Sequence, residues 1–312
     1  MKNENLRTLD GKNISLYIWD EVQEGKCIIQ LVHGSCEHAL RYDEFAKEMN
    51  KQGFIVVAND HRGHGKTAEL NHKPLGYFSS KNGWNKIVND LKIVNEFIKS
   101  NYANLPIVML GLSMGSFMTR TFMIDYPNTI DGFIISGTAW HSTALLKTSW
   151  LIAKIRQTFR KTDGPDDFIW KLSYKPLNKK YESINTTGVE WLSNNKENND
   201  GFLNDPLTGQ IFTSSAFKDM FAGLLYNQKS KNIKKVNKNL PILLVSGSDD
   251  SVGNYGKMVE KTYKKFKKQN LNVKLKLYDN QRHEILFDND KEIVEQDVIK
   301  FVNSIINTKQ QD

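Results

Sequence analysis

The sequence predicts an α/β fold: a mostly parallel, eight-stranded sheet with flanking helices and an inserted helical segment. Three observations predict it. Short apolar runs alternate with amphipathic stretches at the spacing of strand-crossover-strand units. One of those runs, Leu105 to Leu110, ends abruptly in Gly111-Leu112-Ser113-Met114-Gly115 and passes into a helical pattern. The alternation then stops between about Thr138 and Val236 and resumes after it.

Taken in order, Asn3 to Asp20 reads as an antiparallel hairpin at a sheet edge, turning around Asp10-Gly11, with Ile14, Leu16 and Ile18 on one face. Cys27 to Val32 predicts a buried strand, followed by the loop His33-Gly34-Ser35 and a helix near Tyr42 to Gln52 that Gly53 stops. Phe54 to Ala58 is the next strand, Asn59 to Gly65 a loop, and Trp84 to Ser100 a helix with Ile87, Leu91, Val94 and Ile98 at helical spacing. Ile107 to Leu110 supplies the continuous apolar run that a strand covered on both faces requires. A helix from Met114 to Tyr126 and a strand from Gly132 to Ser136 follow. After the interruption come strand Ile242 to Val245, helix Tyr255 to Lys268, strand Val273 to Tyr278 and a closing helix, Lys291 to Ile306. The predicted division is a core of residues 1–137 and 236–312 carrying a helical cap of residues 138–235.

Within the cap, Trp150 to Phe159 and Phe217 to Leu225 read as amphipathic helices joined by Asn-, Asp- and Gly-rich loops such as Asn194 to Gly201. Its aromatic residues are Trp140, Trp150, Phe159, Phe168, Trp170, Trp191, Phe202, Phe212, Phe217, Phe221 and Tyr226. They serve as the cap's own core or as an apolar underside facing Ser113. If the second role holds, the helices 150–159 and 217–225 are expected to shape it, and an exposed rim to touch a membrane or micelle weakly.

The stretch around Ser113 carries chemistry because of where it lies. A sharp strand-to-helix turn forces the serine into a strained conformation, Gly111 and Gly115 remove side chains that would collide with backbone, and the helix amides beyond point back at the hydroxyl. A serine hydroxyl needs a base to take its proton, and a histidine needs a carboxylate to orient it. Both follow in order. Asp249 and Asp250 lie in the turn Ser246 to Gly253 after one predicted strand, and His283 lies in Asp279 to Glu284 after the next. Turn geometry leaves the choice between the two aspartates open.

Composition narrows the remaining classes. At 312 residues, 39% hydrophobic and 25% charged, the chain has the composition of an ordinary globular protein. No stretch reaches the roughly 18 apolar residues of a membrane span, and Met1 to Gly11 lacks the apolar core of a secretory signal, so a cytoplasmic protein, at most peripheral at a membrane surface, is expected. The net charge of +8 comes with lysines concentrated in Lys229 to Lys238 and Lys257 to Lys276, without the aromatic interleaving of nucleic-acid readers. It reads as a solvated surface, and no nucleic-acid partner is expected. Cys27 and Cys36 flank an extended run that holds them beyond the roughly 7 Å a disulfide spans, so both are read as free thiols, with Cys36 a modifiable thiol near Ser35 at most.

The motifs His33-Gly34-Ser35-Cys36-Glu37-His38-Ala39-Leu40-Arg41-Tyr42, Asp60-His61-Arg62-Gly63-His64-Gly65, Gly111-Leu112-Ser113-Met114-Gly115, Gly247-Ser248-Asp249-Asp250-Ser251-Val252 and Arg282-His283-Glu284 together resemble the monoacylglycerol lipase and lysophospholipase branch of the α/β-hydrolases, a serine aminopeptidase-like group. The resemblance covers the core and not the cap. It implies an α/β-hydrolase fold, selects Asp250 as the acid beside Ser113 and His283, and assigns the oxyanion hole to the backbone amides of Ser35 and Met114. It implies a serine hydrolase of carboxylic esters, with lipid monoesters favoured, working without cofactor or metal. A short-chain esterase, an aminopeptidase and a catalytically silent binding protein are the alternatives.

Other polar residues have blander readings. His61 and His64 have no third ligand near them in sequence, so the Asp60 to Gly65 loop is read as structural, its polar side chains tying the upper edge of the sheet. His33 is read as a hydrogen-bonded loop histidine. Asp249, Asp279 and Glu284 are read as solvated or as supporting the site from behind.

Overall fold

The computed structural model describes residues 1–160, 163–183 and 186–310. At its centre lie eight strands, β1 (Lys2–Arg7), β2 (Asn13–Trp19), β3 (Cys27–Val32), β4 (Phe54–Asn59), β5 (Ile107–Leu112), β6 (Gly132–Ser136), β7 (Ile242–Gly247) and β8 (Val273–Tyr278). Their order across the sheet is β1-β2-β4-β3-β5-β6-β7-β8. The pairs β1–β2 and β2–β4 are antiparallel, and every later pair is parallel. The expected edge hairpin and parallel core are both present.

The helices are α1 (Asp43–Lys51), α2 (Gly65–Leu70), α3 (Gly83–Asn101), α4 (Met114–Asp125), α5 (Thr143–Phe159), α6 (Asp167–Ser173), α7 (Lys196–Asn204), α8 (Ser214–Asn227), α9 (Ser230–Ile233), α10 (Lys257–Lys267) and α11 (Lys291–Lys309). Alternate strand residues enter two apolar layers, as the period of two requires. Ile14, Leu16, Ile28, Val57 and Met109 face the layer built with α3, α4, α8 and α10, while Trp19, Ile29, Val56, Val108 and Leu110 face the one built with α1 and α11. Both faces of the sheet are covered, which is why β3, β4 and β5 expose nothing.

Helices α5 to α9 all lie between β6 and β7. Four of them start on side-chain caps: Ser142, Asp166, Asn195 and Thr213 each accept from an amide in the first turn, worth about 1 kcal/mol apiece. Many contacts bind this segment to the rest, two groups of them extensive. Helix α8 packs against α3, α4 and α5 and buries Phe217, Phe221 and Leu224. The stretch from Glu190 to Asn194 runs along the loop before α11: the Glu284 amide donates to the Leu192 carbonyl at 2.7 Å, Arg282 Nη1 donates to the Glu190 carbonyl at 2.6 Å, and the Asn194 amide donates to Asp288 Oδ1 at 3.0 Å. Among the described residues, no helix is long and apolar enough to cross a membrane.

Candidate active site

Ser113 stands at the end of β5 with φ 55° and ψ −120°, a conformation that costs a non-glycine residue roughly 1–3 kcal/mol. Its neighbours hold it there. The Ser113 amide donates to the Ser136 carbonyl at 2.9 Å, and its own carbonyl accepts from the Ser116 amide at 2.9 Å and the Ser116 hydroxyl at 2.6 Å. A β-carbon at Gly115 would run into the Val32 and His33 carbonyls, and one at Gly111 into the Gly115 carbonyl. The glycines therefore do what the sequence requires of them. Met114 opens α4, so its N–H has no carbonyl a turn earlier in the helix and adds to the positive end of the helix dipole.

The loop after β3 lies against this turn. A β-carbon added to Gly34 would sit 3.2 Å from Ser113 Cβ, so the loop approaches the serine at its glycine. Ser35 follows, and its Oγ accepts a hydrogen bond from the Tyr174 hydroxyl at 3.0 Å.

His283 and Asp250 lie in the loops after β8 and β7. His283 Nδ1 donates to Asp250 Oδ1 at 2.9 Å, with both side chains buried. The Asp250 carboxylate also accepts from the Ser246 hydroxyl at 2.9 Å and the Val252 amide at 2.8 Å. Burial alone would push Asp250 up, but the imidazole charge and these donors hold it below the usual carboxylate range. His283 behaves conversely: burial pushes it down, and Asp250, then Glu284 and Glu37, more than compensate and raise it. Its Nε2 is buried without a hydrogen-bond partner among the described residues. The ring rests between Gly137, where a β-carbon would come within 2.8 Å of Cε1, and Trp191, whose ring centroid is 5.2 Å away. Asp249 points elsewhere, to Lys180 Nζ at 2.9 Å.

The remaining polar residues fall into two groups. His33, His61 and His64 gather as a buried cluster, His33 and His61 stacked at 3.8 Å, and Asp60 binds the Ala39 and Lys66 amides and the Tyr17 hydroxyl. Among the described residues no group of three or more His, Cys, Asp or Glu is placed to hold a metal. Cys27 and Cys36 are free and buried, and burial pushes both thiols up, which weighs against reactivity at Cys36 although it borders the cavity beside Ser35. The reading of Glu284 is also sharpened. It is fully enclosed and receives both Nη atoms of Arg41 at 2.8 Å. The four-residue spacing of Glu37 and Arg41, which pair at 2.6 Å, can be read in the sequence, whereas the contact of Arg41 with Glu284 cannot.

A cavity of about 600 Å³ opens beside Ser35, with Trp170, Tyr174, Trp191, Phe202 and Ile211 in its wall. The inserted segment supplies most of it, but not from the helices expected. Phe217 and Phe221 are buried in the core behind α8, and Phe159 is 84% exposed at the end of α5. Of the aromatic residues named from the sequence, Trp170, Trp191 and Phe202 face the cavity.

Residues 23–290 match the family described as serine aminopeptidase, S33. The chain belongs to that family of α/β-hydrolases. Along 98% of its own length it is 24% identical to a monoglyceride lipase homolog of Monkeypox virus, of which the match covers 98%. It is 25% identical to the monoglyceride lipase of Homo sapiens over 79% of this chain and 72% of that one. Among solved structures, it is similar to a highly thermostable carboxyl esterase from Bacillus coagulans in complex with glycerol, with a TM-score of 0.89, 26% identity and 98% of each chain covered. These likenesses span the inserted segment as well as the sheet. The eight-stranded, mostly parallel sheet with flanking helices described above is the α/β-hydrolase fold.

Proposed function

We propose that the protein hydrolyses carboxylic esters through an acyl-enzyme on Ser113, and that its substrates are lipid monoesters such as monoacylglycerols or lysophospholipids. The observation that carries this reading is the buried His283–Asp250 pair, its Nε2 unbonded among the described residues and its ring packed on Gly137, together with a serine in a strained turn whose amide donates to Ser136, the residue before that glycine. Ser113 Oγ attacks the ester carbonyl as His283 Nε2 takes its proton, and Asp250 keeps Nδ1–H oriented and stabilises the imidazolium. The amides of Ser35 and Met114 receive the oxyanion. His283 then protonates the departing alcohol, and water repeats the sequence in reverse to free the acid.

The lipid part of the reading rests on the apolar wall of the cavity beside Ser35 and on the names of the relatives. Residues 138–235 act in it as a cap over a core of residues 1–137 and 236–312. The exposed ridge Leu151, Ile155 and Phe159 on α5, with Phe168 and Leu172 on α6, supports contact with a lipid aggregate. The test is a panel of monoacylglycerols, lysophospholipids, p-nitrophenyl esters and aminoacyl amides. Each buried CH₂ is worth about 0.8 kcal/mol, so kcat/KM should rise up to about fourfold per carbon until the cavity fills. Trp170→Gln should flatten that climb and leave a two-carbon ester almost unaffected. A flat chain-length profile, or amides cleaved faster than esters, overturns the lipid-ester reading.

A further inference from the structure

Behind the proposed triad lies a second buried cluster, built from three separate parts of the chain. The Arg41 guanidinium is sandwiched between the Phe202 and Phe287 rings, 5.1 and 4.7 Å from their centroids. Its Nη1 donates to Glu37 Oε2 at 2.6 Å and to Glu284 Oε1 at 2.8 Å, and its Nη2 donates to Glu284 Oε2 at 2.8 Å and Asn198 Oδ1 at 2.9 Å. Each partner holds something the reaction uses. Glu37 Oε1 accepts from the Gly34 amide and from the Tyr42 hydroxyl, so it fixes the peptide that precedes Ser35. Glu284 follows His283 directly, and its amide and carboxylate are both occupied by the inserted segment, through the Leu192 carbonyl and Asn198 Nδ2.

We infer that Glu37, Arg41 and Glu284 are positioning residues for acyl transfer: one guanidinium locks the oxyanion loop to the histidine loop, and the surplus negative charge of the two carboxylates supports the imidazolium of His283. This rests on the triad reading above. Burial pushes Glu37 up while Arg41 and the Gly34 and Tyr42 donors pull against it, and Arg41 holds Glu284 low; with both ionised, two carboxylates against one guanidinium leave a net negative charge in a largely buried site, where it is poorly screened. The charged and titratable groups around His283 are Asp250 from the loop after β7, Arg282 and Glu284 from its own loop, and Glu37 and Arg41 from the loop after β3. The inserted segment faces it with the neutral ring of Trp191. Arg282 is turned away: its Nη1 donates to the Glu190 and Ser193 carbonyls and its guanidinium lies 4.1 Å over the Tyr181 ring.

The two roles separate by variant. Glu37→Gln keeps an acceptor for the Gly34 amide and removes the charge, whereas Glu37→Ala removes both; Glu284→Gln removes the charge on the histidine side. The measurement is the pH dependence of kcat and KM for one soluble ester, with each variant's melting curve recorded alongside. The acid limb of kcat/KM should move to lower pH in Glu37→Gln and Glu284→Gln, because removing a nearby negative charge makes His283 easier to deprotonate. Glu37→Ala should in addition lose up to roughly a hundredfold in kcat with KM little changed, the cost of a misplaced oxyanion loop, and Glu37→Gln should recover most of it. If the melting curves are native-like and the acid limbs coincide with that of the wild type, the electrostatic role is overturned. If Glu37→Ala matches Glu37→Gln in kcat, the positioning role is overturned. A variant that unfolds is replaced in the comparison by Asn198→Ala, which loosens Arg41 and Glu284 from outside and should lower kcat by a smaller factor; unchanged kcat there counts against the network. Wild-type activity that survives Ser113→Ala would instead remove the triad reading on which all of this rests.

Discussion

His283 and the cluster of His33, His61 and His64 are equally buried, yet the two sites move the imidazole in opposite directions. In the cluster, burial dominates and, among the described residues, no carboxylate bonds the rings: His33 is held well below the ordinary histidine value, His61 at about 3 and His64 at about 4. Each ring is fixed as a neutral tautomer by main chain. His33 Nδ1 donates to the Gly34 carbonyl at 2.8 Å while its Nε2 accepts from the His61 amide at 3.0 Å, His61 Nε2 donates to the His33 carbonyl at 3.1 Å, and His64 Nδ1 donates to the Arg62 carbonyl at 3.0 Å. At His283 the same burial is overcome by Asp250, with Glu284 and Glu37 behind it. Burial silences an imidazole, and a buried carboxylate on Nδ1 turns it into a base. On the reading proposed above, the cluster is a strut under the loop that carries Gly34, and His283 is the group that exchanges a proton.

The largest consequence is in turnover. Ser113→Ala and His283→Ala should each lower kcat by about 10⁴-fold or more, and the double variant should lose little beyond that, because residues that act as one unit are not additive. His64→Asn, which keeps a donor in the place of Nδ1, should leave kcat within a few-fold. Comparable losses at His64 and His283 in steady-state assays, with both proteins folded, would erase the distinction between the two sites. Next in size is the acid. Asp250→Asn should lower kcat by roughly 10⁴-fold through loss of the orienting acceptor, while Asp249→Asn, which gives up only a half-exposed pair with Lys180, should be mild. The reverse ranking would move the acid by one residue.

A smaller effect sharpens the same contrast through stability. Histidines whose folded pKa is lowered bind fewer protons than the unfolded chain, so stability falls as pH drops below the ordinary value of about 6.5; by pH 5 each fully suppressed histidine costs about 2 kcal/mol. His283 runs the other way. Its raised pKa contributes stability that is fully present below about 6.5 and is lost as pH rises through its folded value. Melting temperatures at pH 7 and pH 5 should therefore drop less on acidification in His64→Asn than in the wild type. They should drop more in Asp250→Asn, where His283 joins the suppressed set. Identical drops in all three proteins would contradict the assigned directions.

The parts of this molecule that a local pattern encodes were legible in the sequence. The hairpin around Asp10-Gly11, the strands from Cys27 to Tyr278 and the turn at Ser113 all rest on spacing and glycine chemistry within a few residues, and the structure has them within a residue or two. The order serine, aspartate, histidine was visible because each lies at or soon after the end of a strand-like run, but the residues alone left Asp249 and Asp250 open, and only the family resemblance pointed to Asp250. What was not legible depends on side chains that meet across the chain. Arg41 and Glu284 are 243 positions apart, and nothing in either neighbourhood announces the contact. The cavity wall was misplaced for a related reason: Phe217 to Leu225 and Trp150 to Phe159 carry strong helical apolar patterns, but such a pattern reports that a face is apolar and not what covers it. Helix α8 spends its face on α3 and α4, and the short, weakly patterned pieces around Trp170, Trp191 and Phe202 line the cavity instead.

Reaction with a fluorophosphonate followed by peptide mapping asks whether Ser113 is a nucleophile activated by His283. One adduct is expected, on Ser113, formed more slowly as pH falls and His283 takes up its proton, absent in Ser113→Ala and strongly slowed in His283→Ala. A folded wild-type protein that stays unlabelled, or an adduct that persists unchanged in Ser113→Ala, would contradict that role.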